Sequence, residues 1–255
     1  MKILAIMGSP RKTGNTYKVT RKVEEKMKQL GDVEFEYVFL QDLDIRPCLG
    51  CGACFEKGED RCPHKDDRAM LEEKMLKADG VIFASPTYVF NVSGLMKNFM
   101  DRFAYACHRP RFFKNAMVLT TAGFELGMGK MLKSFSFVPE VWGFKVVHSF
   151  GISTNKILEF GTHTEKVDRK ISAAAKTFYS AVAAGRVKPG LFSMAVFLAV
   201  QPDIRKVPPE FYDYSYWRDQ GWLEKGTWYY YDPQAGVVKK TMAKLLSRFF
   251  SLAAR

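Results

Sequence analysis

Four of the chain's five cysteines fall in one short stretch, Cys48-x2-Cys51-x2-Cys54-x7-Cys62. Three cysteines at three-residue steps, with a fourth a short loop away, can surround a cubane iron–sulfur cluster with four thiolates. Gly50 and Gly52 let the backbone fold tightly around such a bulky centre. Structural zinc favours two Cys-x2-Cys pairs held well apart, so it fits the spacing less well. Free or oxidisable thiols are the third reading. A disulfide framework would spread its cysteines along a short exported chain, which this is not. His64 reads as a solvated or capping side chain. Cys107 reads as a core thiol on an apolar helix face.

A second chemical motif is Gly8-Ser9-Pro10-Arg11-Lys12-Thr13-Gly14-Asn15-Thr16, between a first strand and a first helix. Backbone N–H groups and a helix N-terminus at such a turn favour an anion. Ser9, Asn15 and Thr16 add polar donors, and Arg11 adds a charge. Five residues separate Gly8 from Gly14, and Asn15 follows where a Walker A loop has lysine. The G-x-G-x-x-G dinucleotide fingerprint is also absent.

These motifs need a scaffold, and hydrophobic periodicity supplies one. Strands are predicted at Lys2–Gly8, Val33–Leu40, Gly80–Ser85, Ala116–Thr121 and Phe144–Phe150. Between them, helical spacing covers residues 14–30, stopped by Gly31, and 67–78, capped by Asp66 or Asp67. Further helices are predicted over 93–107, around 127–137 and from Val167 to Val182. Strands alternating with helices predict a doubly wound, five-stranded parallel sheet of the flavodoxin-like α/β class. The domain would span residues 1–185, with the cysteine motif inserted at about 47–63. Residues 186–255 would form an aromatic-rich extension that packs on the core or on a second subunit, or that walls a flat cofactor. Its Leu191–Val200 run is too short to cross a bilayer.

The Gly-Ser-Pro-Arg-Lys-x-Gly-Asn-Thr loop resembles the NADPH-dependent FMN reductase branch of the flavodoxin-like superfamily. So does Ser85-Pro86-Thr87-Tyr88 followed by Leu95-Met96-Lys97-Asn98-Phe99-Met100-Asp101-Arg102. The resemblance covers residues 1 to about 185. It implies that the first loop holds the FMN phosphate through Ser9, Arg11, Gly14, Asn15 and Thr16. Ser85, Pro86, Thr87, Tyr88 and Asn91 would then meet the isoalloxazine. Thr121 and Gly123 would lie beside it in a third loop, with Gly123 either approaching the flavin closely or forming a plain left-handed turn. Asp101 and Arg102 would pair with each other or across a dimer. The cysteine pattern resembles the compact motif of iron–sulfur flavoproteins, which implies a [4Fe–4S] cluster on Cys48, Cys51, Cys54 and Cys62.

The expected function is FMN-dependent electron transfer with no catalytic side chain, because the flavin performs the chemistry. The alternatives are a cluster-free NAD(P)H-dependent reductase of flavin or quinone and a non-enzymatic flavin carrier. The formal charge of +12 suits anionic partners. Expected partners are a small-molecule donor or acceptor, or a ferredoxin-like carrier. No dense Lys/Arg stripe or nucleic-acid motif is visible, and no run of about 18 apolar residues points to a membrane. The N-terminal residues are too short for a signal peptide and run straight into a structured motif, so a cytoplasmic location is expected. Family resemblance implies a homodimer or tetramer.

Overall fold

The structure is a computed structural model describing residues 1–153, 165–185 and 187–253, the last three by backbone only. In chain order the elements are β1 (Lys2–Met7), α1 (Asn15–Lys28), β2 (Glu34–Phe39), α2 (Ala53–Glu56), α3 (Arg68–Lys77), β3 (Gly80–Tyr88) and β4 (Asn91–Val92). They continue with α4 (Gly94–Arg102), α5 (Tyr105–His108), β5 (Asn115–Ala122), α6 (Met128–Val141) and β6 (Lys145–Ser153). The last four are α7 (Glu165–Ala183), α8 (Leu191–Ile204), α9 (Tyr212–Asp219) and α10 (Val237–Ala253).

Contacts divide the chain into two units. The first comprises Met1–Leu49, His64–Ala104 and Arg111–Arg186. Its sheet runs β2-β1-β3-β5-β6, all parallel, which is the flavodoxin order. The two-residue β4 folds back antiparallel on the end of β3. The interior strands are apolar on both faces because helices cover both, and every residue of β5 is buried. On one face Val19, Val23 and Met27 of α1, with Ile171, Ala174 and Phe178 of α7, pack on Ile3, Ala5, Ile82 and Met117. On the other face Phe83, Phe99, Phe103 and Trp142 form an aromatic cluster, with Phe99 edge-on to Trp142 at 5.5 Å between ring centres.

The second unit comprises Gly50–Pro63, Tyr105–Pro110 and Val187–Arg255. The aromatic extension packs largely on itself. Phe197 stacks on Trp217 at 5.5 Å, and Trp222 lies edge-on to Trp217 at 5.3 Å and to Tyr230 at 4.6 Å. The Leu191–Val200 run lies within α8. No helix among the described residues is long and apolar enough to cross a membrane. Residues 186, 254 and 255 of the expected extension lie outside the described residues.

Several local expectations change. The apolar spacing over 93–107 is not one helix: α4 ends at Arg102, Phe103 leaves helical geometry at φ −106°, ψ 20°, and α5 is a separate turn. Periodicity records which residues are buried, and Tyr105 and Ala106 are, so it could not register the break. Cys107 is exposed rather than a core thiol. Gly31 does not end α1 through a left-handed turn; a Cβ there would meet the Tyr179 hydroxyl of α7. Asp67 occupies the N-cap of α3 but accepts from Asp44 N–H instead, at 2.8 Å.

Arg102 pairs neither with Asp101 nor outward. It is buried, donates both Nη atoms to the Asp66 carboxylate (Nη2–Oδ1 3.1 Å) and reaches the Arg46 carbonyl at 2.8 Å. Asp101 pairs with Lys97 one helical turn away at 2.5 Å. Helical geometry explains the exchange: adjacent residues point to different sides of α4, whereas residues four apart share one.

Candidate functional site

The carboxyl ends of β1, β3 and β5 each run into one of the three loops singled out by sequence. At the first, Gly8 N–H donates to Ala84 O at 2.8 Å and anchors the turn to β3. Ser9 is buried and its Oγ accepts from Arg11 N–H at 3.1 Å. Gly14 N–H closes the loop on Arg11 O at 3.1 Å. Gly14 is also the N-cap of α1, contributes no side-chain acceptor, and is followed by a first turn without acidic residues. The leading N–H groups of a 14-residue helix are therefore left without a side-chain cap or a first-turn carboxylate, the condition that favours an anion there. Arg11 is exposed, Asn15 is half-buried, and Lys12 pairs with Asp42 at 2.7 Å.

Hydrogen bonds lace the other two loops to the first. Ser93 caps α4 by accepting from Met96 N–H at 3.2 Å, and its hydroxyl donates to Gly8 O at 2.5 Å. Ser93 N–H donates to Ser85 Oγ at 3.0 Å. Thr16 and Thr121 share a buried hydroxyl–hydroxyl bond of 2.7 Å. Thr87 and Thr120 share another of 2.8 Å, and Thr120 donates to Ser85 O at 2.7 Å. Such buried hydroxyls need partners, and finding them across three loops fixes the loops relative to one another.

Ser9, Thr16, Ser85, Thr87 and Thr121 are thus brought together, with Pro86 buried at the end of β3. Tyr88 and Asn91 sit at the rim on a hairpin whose turn residues Val89 and Phe90 have φ of 48° and 61°. Consecutive left-handed residues make a tight hairpin turn that ordinarily carries Asn-Gly. A β-branched valine there is strained, and such strain clusters at functional sites. Val89 and Phe90 are 93% and 65% exposed, and Asn91 Oδ1 accepts locally from Val92 N–H at 2.8 Å. Gly123 is not left-handed, which sets aside the turn reading; a Cβ there would meet nothing within 4 Å. Ser93 and Thr120 are the residues that motif reading passed over. The sequence Ser-Gly-Leu-Met carries a helix N-cap signal that could have pointed to Ser93.

The chemistry of these groups suits FMN: helix-terminal amides for a phosphate, and a polar rim with exposed aromatic groups for a flat ring. The cysteine segment is different in kind. Cys48 and Cys51 are exposed, and Cys54 and Cys62 are half-buried. Gly50, Gly52 and Gly58 take φ of 63°, 74° and 92°, so the segment uses the conformations only glycine adopts readily. Four thiols are a donor set suited to an iron–sulfur cluster. Among the described residues no three or more His, Cys, Asp or Glu side chains stand close enough together to hold a metal ion. His64 Nε2 hydrogen-bonds Pro47 O at 3.0 Å, a structural contact.

Comparison with known proteins agrees with this geometry. The sequence pattern of the NADPH-dependent FMN reductases matches residues 1–155. An iron–sulfur flavoprotein of Clostridioides difficile is 32% identical over 232 residues, covering 89% of this chain and 99% of the relative. One from Archaeoglobus fulgidus is 45% identical over 102 residues, 40% of this chain and 48% of its own. An apo NADH:FMN oxidoreductase shares the fold at TM-score 0.54 and 23% identity, covering 70% of this chain and 88% of that one. The chain belongs to the NADPH-dependent FMN reductase family, with iron–sulfur flavoproteins among its relatives, and is an FMN-dependent oxidoreductase.

Proposed function

We propose that this chain is an iron–sulfur flavoprotein that couples two-electron and one-electron carriers. In this reading Cys48, Cys51, Cys54 and Cys62 hold a [4Fe–4S] cluster, with FMN at the three laced loops. The single observation that carries it is the Cys48-x2-Cys51-x2-Cys54-x7-Cys62 spacing on a glycine-bent segment. The full-length alignment to a relative named as an iron–sulfur flavoprotein supports it.

Bound FMN supplies hydride and single-electron chemistry, and bound iron–sulfur clusters exchange single electrons. The chain's residues do the rest. The first turn of α1 and Arg11 neutralise the phosphate. The Thr16–Thr121 and Thr87–Thr120 bonds hold the ring-binding loops at fixed spacing. The open Tyr88–Asn91 hairpin leaves an approach for a flat donor or acceptor. No Ser-His-Asp or Cys-His pair takes part.

The donor in this reading is NAD(P)H or a small molecule, and the one-electron partner is a ferredoxin-like carrier. Neither nucleic acid nor membrane is a partner, and the compartment is the cytoplasm. A second copy of the chain, in a homodimer or tetramer, covers the exposed Phe124 and Leu126.

Anaerobic reconstitution tests the cluster. The expected result is about four irons per FMN and a broad visible absorbance beneath the flavin bands. Replacing all four cysteines with serine should abolish the iron while FMN binding stays within about twofold of wild type. Stoichiometric FMN with no iron, and undiminished NADPH oxidation in the serine variant, would identify a cluster-free reductase instead.

A further inference from the structure

We infer that Arg109 is the pin that fixes the cysteine segment Gly50–Pro63 to the C-terminal extension, making Arg109 a positioning residue for Cys54 and Cys62. No side-chain role has otherwise been assigned to the extension, and all the residues involved belong to the second unit.

Arg109 follows α5 and is fully buried. Nη2 donates to the Cys54 carbonyl at 2.9 Å and to Glu59 Oε2 at 2.7 Å. Both acceptors lie between Cys51 and Cys62. Nη1 donates in the opposite direction, to Asp213 Oδ1 in the first turn of α9. The planar guanidinium also lies over the Tyr212 ring, 4.9 Å from its centre. One side chain therefore ties together three segments, its partners lying 50 and 55 residues before it and 104 after it.

Neighbouring contacts repeat the link. His108 Nδ1–H donates to Asp213 Oδ2 at 2.6 Å, and the His108 ring lies 4.4 Å from that of Phe55. Trp217 Nε1–H donates to His108 O at 2.7 Å. A Cβ on Gly58 would stand 3.3 Å from the Tyr212 ring, so the segment passes close against α9.

A charge this deeply buried persists only where its partners surround it. The fork geometry of arginine serves several acceptors at once, whereas lysine offers a single point charge. Without the pin, the Asp213 and Glu59 carboxylates lose the guanidinium they share, and the segment loses that hold on α9. The two ligand-bearing ends then sample more conformations, which raises the entropy lost on closing around a cluster. That last consequence rests on the cluster reading; the pin itself does not.

The test uses full-length, FMN-loaded, iron-free protein and hydrogen exchange read by mass spectrometry. Glu59→Gln keeps the buried Arg109–Asp213 pair and loosens only the segment's attachment; Arg109→Lys keeps the charge but not the fork. In both, amides of residues 52–62 should exchange about tenfold faster, while amides of β1, β3 and β5 stay unchanged. If Arg109→Lys does not fold, Glu59→Gln decides alone. Exchange in residues 52–62 equal to wild type overturns the inference. After anaerobic loading, the variants should retain less than about half the wild-type iron per FMN, with unaltered flavin bands, as the loosened ligand ends imply. Wild-type protein that takes no iron defeats the cluster reading and leaves the exchange result to judge the pin.

Discussion

Gly8→Ala is expected to weaken FMN binding by at least about tenfold and to destabilise the fold by roughly 1–3 kcal/mol, the usual range for overpacking. The added Cβ would stand 2.8 Å from Met96 Cβ and 3.2 Å from Ser93 Oγ. Met96 is fully buried in the first turn of α4 and cannot retreat without moving that helix. The same shift would stretch the Ser93–Gly8 hydrogen bond that joins the first loop to the second. Phosphate and ring sites would therefore be displaced together. Fluorescence titration with FMN and thermal unfolding measure the two effects. Wild-type affinity in a destabilised variant would mean that the Gly8–Ser93 junction does not position the flavin.

The second large effect is expected at Arg102. Replacing it with alanine strands the Asp66 carboxylate, whose side chain is almost wholly buried, and should cost about 3–5 kcal/mol, as for other broken buried pairs. The pH dependence follows from Asp66. Burial alone would raise its carboxyl, but the Arg102 hydrogen bond, the Arg46 and Arg68 N–H groups and the Arg102 charge together outweigh it. They hold Asp66 below the ordinary carboxylate range. A depressed carboxyl stabilises the fold above the unfolded value and loses that contribution as pH falls through its folded value. In Arg102→Ala burial is no longer offset by the guanidinium, so acid should relieve the variant by protonating Asp66. Denaturant unfolding at pH 7 and near pH 4 should show the stability gap narrowing on acidification. A gap of equal size at both values would place the cost in lost packing rather than in the stranded charge.

Much of this was legible in the sequence because the relevant signals are local. Apolar runs such as Lys2–Met7 and Gly80–Ser85, alternating with helical spacing, are enough to specify a parallel sheet wrapped on both faces. The Gly8–Thr16 loop shows its anion chemistry in its residue types. What escaped was set by long-range contact. The partner of Arg102 is Asp66, thirty-six residues away, and nothing in the Asp101-Arg102 pair announces it. Ser93 joins Gly8 across eighty-five residues. The break after Arg102 was invisible because burial continues through Tyr105 and Ala106 while the backbone changes direction. The acceptors around Arg109, namely Cys54 O, Glu59 and Asp213, come from segments distant in sequence, so no local pattern marks it.

The central claim is that the amides at the start of α1 grip the FMN phosphate. Comparing FMN with riboflavin, which lacks only that phosphate, tests it most directly on flavin-free protein by fluorescence quenching. FMN should bind at one per chain and riboflavin at least about a hundredfold more weakly, the loss of two or more charge-assisted hydrogen bonds. Equal affinity for the two, or no binding of FMN, would contradict the claim.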